Sequence, residues 1–301
     1  MSERRPRIEW PTLALLAVTY AIWAWAVFWL SGWSVPLAVV VAALAIAQQS
    51  SLQHEVLHGH PFRWQRLNEI LVRPSLNLAI PYGRFRDTHL AHHRDACLTD
   101  PYDDPETNYL AERDWNALPT VLQHIYRCNN TLAGRMLFGP VLGQFAFMQS
   151  DVRGWTPAIA KSWLAHLIGT ALVIWMIWQS AMPIWAYVVA AYIGLSLLKI
   201  RTFLEHRAHD QSRERSVIVE DRGPLAFLFL NNNLHAVHHM YPQVPWYDLP
   251  KLYRVGKDRF QACNGGYVYR SYATVFAQHL VHPKDPVVHP LWHKAEETLD
   301  A

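Results

Sequence analysis

Two long stretches of the chain lack charged residues, and they dominate its pattern of apolar and polar positions. No Asp, Glu, Lys or Arg occurs between Glu9 and Glu55, or between Lys161 and Lys199. A helix needs about 20 apolar residues to cross a bilayer, so each stretch is long enough for two crossings. Short uncharged turns divide both stretches. The pattern predicts two helical hairpins with spans at residues 12–30, 35–52, 158–178 and 184–204.

The predicted fold is therefore an all-α integral membrane protein with four transmembrane helices. The rest of the chain, residues 53–157 and 205–301, is expected to form a helical cap that belongs to the same single domain, 1–301. The basic residues lie outside the spans or, like Lys161, Lys199 and Arg201, near the span ends that adjoin the cap. This distribution predicts that the cap and both termini are cytoplasmic. The uncharged stretch at 136–150 is too short to cross and predicts an interfacial or re-entrant helix.

Composition changes this picture little. The mean hydropathy of −0.02 averages over strongly segregated apolar and polar segments. The formal net charge of +3 is small and fits contact with anionic lipid headgroups, so membrane lipids are expected partners and nucleic acid is not.

Candidate chemistry comes from the histidines, of which the chain has 17. HEVLH carries His54 and His58, while HLAHH and HAVHH are two copies of H-x-x-H-H. Positions i, i+3 and i+4 share a helix face, so each H-x-x-H-H is expected to aim three imidazoles one way. Eight imidazoles are too many for one tetrahedral zinc, which favours two metal ions in one cage. The eight candidate ligands are His54, His58, His89, His92, His93, His235, His238 and His239.

All three histidine motifs follow a predicted span on the cytoplasmic side, so they can meet there. His206, just after the fourth span, is a candidate ninth ligand, and Glu205 beside it is a candidate partner that orients an imidazole. Further candidates, as ligands or as hydrogen-bond partners of ligands, are His209, His60, Asp100 and Asn231. The tail histidines show no ligand spacing and are expected at the surface: His279, His282, His289 and His293.

Two other functions fit part of this pattern. His54-Glu55-Val56-Leu57-His58 also matches H-E-x-x-H, in which two histidines bind zinc and Glu55 acts as the base of an intramembrane peptidase. That function requires one zinc and neither H-x-x-H-H. A non-catalytic metal carrier is the second alternative, but it would favour polar residues along the spans, where few occur.

The three histidine motifs and the four-span layout resemble the membrane fatty acid desaturases, a family that includes hydroxylases. The stretch LHAVHHMYPQVPWYDLP is especially similar to the corresponding region of bacterial acyl-lipid desaturases. The resemblance covers most of the chain and implies a non-haem diiron centre, Fe2+/Fe3+, held by the eight histidines. His206 is the nearest match to a further histidine of the family. A bacterial inner-membrane location is the matching expectation.

The same resemblance implies O2 as co-substrate and a lipid or fatty acyl chain as substrate. Desaturation is the expected reaction, and hydroxylation of a lipid or other hydrophobic substrate by the same centre is the alternative. The segment before the first span is short, so electrons are expected from an external donor of the ferredoxin type or similar. Its expected docking site lies near Arg84, Arg86, Arg94, Arg207 or Arg213.

Overall fold

The computed structural model describes residues 8–93 and 97–292, and most of them are helical, as predicted. Arg4, Arg5 and Arg7, which helped to orient the chain, lie outside the described residues, as do Arg94 and His293. The helices are α1 Trp10–Phe28, α2 Val35–Leu57, α3 Gln65–Val72, α4 Tyr82–His92, α5 Glu112–Ala117, α6 Thr120–Asn129, α7 Leu132–Arg153, α8 Pro157–Trp178, α9 Ile184–Thr202, α10 Pro224–Leu228, α11 His235–Met240, α12 Leu249–Val255, α13 Lys257–Cys263 and α14 Tyr272–His279.

Within the described residues, four helices are long and apolar enough to cross a membrane: α1, α2, α8 and α9. They coincide with the four predicted spans, and this part of the prediction is confirmed. The main difference is at α2, which continues past residue 52 to Leu57. Helical geometry therefore extends without a break from the apolar part of α2 into the first histidine motif.

Local sequence explains where two of these helices begin. The side chain of Ser34 accepts a hydrogen bond from Leu37 N at the start of α2, and Thr156 does the same for Ile159 N at the start of α8. Such caps satisfy amide groups that have no partner within the helix. A proline in the first turn of each helix favours the same boundary.

The four long helices share one apolar core, to which each contributes buried side chains. Gly194 of α9 allows a close approach to α2, because a Cβ atom there would lie 2.9 Å from Ile46 Cγ2 and 3.0 Å from Ala43 O. Many large apolar side chains on these helices instead face outward and are exposed, including Trp10, Trp25 and Trp178. Outward apolar surface of this extent suits a lipid environment.

Shorter helices and loops follow α2 and α9 and complete the fold. Strands β1 (Ile218–Val219) and β2 (Val268–Tyr269) pair in parallel and connect the segment before α10 to the segment before α14. The backbone of α11 is held to β1, since Ala236 N donates to Val217 O at 2.9 Å. The uncharged stretch at 136–150 lies within α7, a 22-residue helix that packs on α9. Its placement in the membrane interface stays a prediction.

Candidate metal centre

Nine histidines converge at the cytoplasmic ends predicted for α2 and α9, and they form two groups. The larger group has five members, each with a ring nitrogen within 4.8 Å of one from every other member: His54, His58, His89, His93 and His238. His93 Nε2 lies 2.9 Å from His89 Nε2 and 3.2 Å from His238 Nε2. We call this set the five-histidine group.

The smaller group, called the four-histidine group, is built from His92, His206, His235 and His239. His206 lies at its centre, because its Nε2 is 2.9 Å from His92 Nε2 and 3.0 Å from His235 Nε2. The ring of His239 lies 4.5 Å from that of His235 and 4.9 Å from that of His206, measured between centroids. His206, which sequence reasoning proposed as a ninth ligand, therefore lies among the motif histidines.

Helix geometry explains how the motifs divide between the groups. Residues four apart lie closest in direction on a helix, and neighbours point about 100° apart. His89 and His93 accordingly enter the five-histidine group together, and His92 enters the other. In the third motif His235 and His239 stay together while His238 crosses. The expectation that each H-x-x-H-H aims three imidazoles the same way was wrong, because each motif supplies both groups.

The two groups are in direct contact. The rings of His93 and His239 stack with their centroids 4.3 Å apart, although they belong to different groups. Asn232 also links the groups, with Oδ1 3.2 Å from His235 Nδ1 and Nδ2 3.5 Å from His54 Nε2. The nine imidazoles thus form one continuous cluster with two focal points.

Acceptors outside the cluster hold the outer nitrogens of four histidines. Glu106 Oε1 lies 2.9 Å from His89 Nδ1, and Asp104 Oδ1 lies 2.7 Å from His92 Nδ1. Ser216 Oγ lies 3.2 Å from His206 Nδ1, and Asn232 plays the corresponding part for His235. An acceptor at Nδ1 fixes the proton there and leaves the Nε2 lone pair pointing inward. This arrangement orients the imidazoles for metal binding.

The protonation preferences agree with that orientation. Burial, joined by His89 and His60, lowers the pKa of His58 to about 2. Burial and the nearby His239 lower the pKa of His93, and burial and His58 lower the pKa of His238. His92 differs: burial opposes its charged form, but Glu106 and Asp104 outweigh burial and raise its pKa to about 9. Without metal, this chain thus favours neutral, electron-donating imidazoles at most positions, and a cation would displace the proton on His92.

The acidic segment after the second motif contributes Asp104 and Glu106, whereas sequence reasoning favoured Asp100. Asp100 Oδ1 instead accepts from the backbone N–H groups of Tyr102 and Asp103, at 2.8 and 3.0 Å, and so stabilises its own turn. The side chain of an Asp at the start of such a turn commonly accepts a hydrogen bond from the amide two residues on, which explains the orientation of Asp100. Asp104 and Glu106, the third and fourth acidic residues of the segment, are the ones that turn inward.

Two other candidates lie away from both groups. His209 is 36% exposed, and its Nε2 lies 3.5 Å from Glu214 Oε2. Asn231 donates through Nδ2 to Trp246 O at 2.9 Å, so Asn232, its neighbour, is the asparagine that contacts the histidines. Glu205 keeps the predicted position beside an imidazole, 3.7 Å from His235 Nδ1, while it pairs with Arg201 at 2.9 Å.

Glu55, in the last turn of α2, and His60, just after α2, belong to neither histidine group. Glu55 Oε1 accepts from Trp246 N at 3.0 Å, and His60 Nδ1 lies 2.6 Å from Glu9 Oε2. In a zinc peptidase the glutamate must reach the metal-bound water, so this orientation argues against Glu55 as a base.

One tail histidine does not lie at the surface, where it was expected. His289 is buried, and its Nε2 lies 3.2 Å from Thr99 Oγ1.

The nine side chains fit a pair of metal ions chemically. His58 Nε2 is buried and has no hydrogen-bond partner among the described residues, as expected of a ligand atom that faces a cation. Several Nε2 pairs approach within hydrogen-bond distance although both atoms present lone pairs, which is favourable when a cation lies between them. Imidazole nitrogen suits iron as well as zinc, copper and nickel.

The fold and the site together define a class of protein: a membrane protein with a histidine centre in two parts. Residues 31–272 match the profile of the fatty acid desaturase family. The chain therefore belongs to that family, as its resemblance predicted, and it is an oxidoreductase. It is also 23% identical over 273 residues to the human sphingolipid delta(4)-desaturase/C4-monooxygenase, an alignment that covers 85% of this chain and 76% of the human protein.

Proposed function

We propose that this protein uses O2 to oxidise an unactivated C–H bond of a lipid chain at a histidine-held diiron centre, with desaturation as its reaction. The division of nine histidines into groups of five and four carries the proposal. One zinc would need three or four of these ligands, and the remainder would then be buried polar groups without a purpose. Two ions account for all nine.

In this proposal the five-histidine group holds one iron and the four-histidine group holds the other. The iron pair, when bound, supplies the O2 chemistry that C–H oxidation requires. The chain's own residues do three things: they donate Nε2 lone pairs, they keep Nδ1 protons on outer acceptors, and they exclude bulk water. Burial of His54, His89, His92, His235 and His238 supports the last of these.

Desaturation removes two hydrogen atoms from adjacent carbons and, with two external electrons and two protons, converts O2 to two waters. Membership of the desaturase family favours this outcome. The human relative is named as a C4-monooxygenase as well as a desaturase, which favours hydroxylation as the second candidate. A lipid substrate suits both outcomes, because the apolar helices would bring the centre to the membrane surface.

The electrons come, in this proposal, from a separate ferredoxin-type donor on the cytoplasmic side. Among the arginines named for its docking, Arg84 pairs with Asp151 at 2.7 Å and Arg86 pairs with Glu69 at 2.5 Å. Arg207 lies over the ring of Tyr267, with 4.5 Å from its Cζ to the ring centroid. Arg213 is exposed and is therefore the best placed of these for an acidic partner.

The test is expression of the full chain with a ferredoxin and its reductase, followed by mass spectrometry of extracted lipids. Loss of two hydrogen atoms from an acyl or sphingoid chain indicates desaturation, and gain of one oxygen atom indicates hydroxylation. His238→Ala serves as the inactive control and His209→Ala as the matched active control. Iron-loaded protein that changes no lipid under O2, with electron transfer to the iron verified, would refute the proposal.

A further inference from the structure

Three buried side chains form a second cluster beside the histidine centre: Glu9, Glu55 and His60. Each offers a ligand atom within 4.8 Å of the other two. Glu9 immediately precedes α1, Glu55 lies in the last turn of α2, and His60 follows α2. We call this cluster the Glu-His-Glu triad. The oxidation proposed above uses none of its three side chains.

The triad has an unusual hydrogen-bonding pattern. His60 is fully buried, and its Nδ1 lies 2.6 Å from Glu9 Oε2. Its other nitrogen, Nε2, lies 3.8 Å from Glu55 Oε1 and has no hydrogen-bond partner among the described residues. A separation of 3.8 Å is too long for a hydrogen bond. Nε2 therefore lies near a carboxylate to which it makes no hydrogen bond.

Protonation explains why a cation suits this gap. Because a carboxylate accepts hydrogen bonds and does not donate them, the short contact with Glu9 places a proton on Nδ1. In the neutral ring Nε2 then presents a lone pair to the oxygen of Glu55. Zinc binds imidazole nitrogen at about 2.0–2.1 Å and carboxylate oxygen at about 2.0–2.2 Å. Two such bonds span up to about 4.3 Å, so the 3.8 Å gap accommodates one ion.

We propose that the Glu-His-Glu triad is a third metal site, for a divalent cation of the zinc type. His60 Nε2 and Glu55 are its protein ligands, and Glu9 holds the imidazole in place. A carboxylate on the far nitrogen of a metal-bound histidine is a common arrangement at zinc sites. The charges also agree, since two carboxylates balance one dication.

The proposed ion would join separate parts of the fold. Glu9 fixes the start of α1, and Glu9 N also donates to Pro61 O at 3.0 Å. Glu55 accepts from Trp246 N at 3.0 Å, which connects the site to the loop after the third histidine motif. Zinc would therefore stabilise the packing of α1, α2 and that loop. This role is structural and does not depend on the oxidation proposed above.

The experiment measures zinc and iron separately in purified, iron-loaded protein after zinc titration and gel filtration. We expect the wild type to retain one zinc per chain together with its iron. His60→Asn should lose the zinc and keep the iron, while the matched control His209→Asn should behave as wild type. Glu9→Gln keeps an acceptor for Nδ1 but lowers the charge, and a zinc affinity reduced about 10–100-fold is expected.

X-ray absorption at the zinc edge identifies where that zinc lies. One imidazole with oxygen ligands supports the triad, whereas several imidazoles would show that zinc had replaced iron and would overturn the proposal. The proposal is equally overturned if wild-type protein binds no zinc, or if His60→Asn and Glu9→Gln both bind it like wild type. A zinc-dependent rise in Tm in wild type and His209→Asn, absent in His60→Asn, would support it independently.

Discussion

His93 and His239 stack at 4.3 Å between ring centroids, and they belong to different histidine groups. Each is the last histidine of its H-x-x-H-H motif, and each is accompanied by the histidine four residues earlier. The contact marks the plane where the second and third motifs meet. Because both motifs supply both groups, loss of any one imidazole is expected to affect both proposed iron sites, although unequally.

This inequality gives the first prediction. His238→Ala leaves four imidazoles in the five-histidine group, but His206→Ala leaves three in the four-histidine group. We expect both variants to lose at least about 100-fold in activity, the order of an entire catalytic group. Iron content should fall further in His206→Ala. Metal analysis of both proteins checks this, and equal iron retention with full activity in either would contradict the shared centre.

The second prediction concerns Asp104, whose buried carboxylate accepts from His92 Nδ1 at 2.7 Å and from Thr99 N at 2.9 Å. Asp104→Asn removes the charge and turns one acceptor into a donor. Loss of such a partner lowers metal affinity about 10–100-fold, and the same reduction is expected here. The matched control is Asp100→Asn, which keeps an acceptor for its turn. Iron titration of both variants, in parallel with wild type, measures the difference.

Glu55 provides the third prediction, because it separates oxidation from peptide hydrolysis. Glu55→Gln keeps an oxygen that can accept from Trp246 N. We expect iron content to remain unchanged and lipid oxidation to stay within about tenfold of wild type, since the side chain belongs to neither histidine group. A zinc peptidase would instead lose all cleavage. Abolished activity with intact iron would give Glu55 a direct chemical role and would contradict its placement outside the proposed oxidation site.

The fourth prediction tests the contact between α2 and α9. Helix α2 carries His54, and α9 leads to His206. Gly194→Ala would bring a Cβ within 3.0 Å of Ala43 O and 2.9 Å of Ile46 Cγ2. Overpacking of this kind costs about 1–3 kcal/mol, partly offset by the better helix propensity of alanine. A lower Tm and reduced iron content are expected. Gly32→Ala is the control, since its nearest new contact is at 3.9 Å.

Regular spacing located eight of the nine histidines, and the position just after the fourth span suggested His206. The sequence did not predict their division between two groups. The side chains at three positions on one helix face point over a wide range of directions. Only the packing of the other helices decides which histidine group each ring joins. His92 and His93 show the consequence, because adjacent residues serve different groups.

The side-chain contacts of irregular segments were even harder to predict from the sequence. The loop from Thr99 to Glu106 has no period, so the choice of Asp104 over Asp100 depends on backbone geometry such as the positive φ of 70° at Thr99. His289 is buried against Thr99, a contact between residues 190 positions apart. Asn232 and Asn231 differ by one residue, and the left-handed φ of 55° at Asn231 turns them in different directions. None of these features leaves a pattern in the chain.

Helices α4 and α11 each carry ligands for both groups, and His93 continues directly from α4. Each helix therefore fixes the position of one proposed ion relative to the other, because the rotation per residue along the helix sets the directions of its imidazoles. All nine members of the two groups are histidines, so the backbone that carries them would set the spacing of the proposed ions. A one-residue insertion between Ala91 and His92 would rotate the rings of His92 and His93 by about 100° while His89 stays in place. Each group would then lose one imidazole.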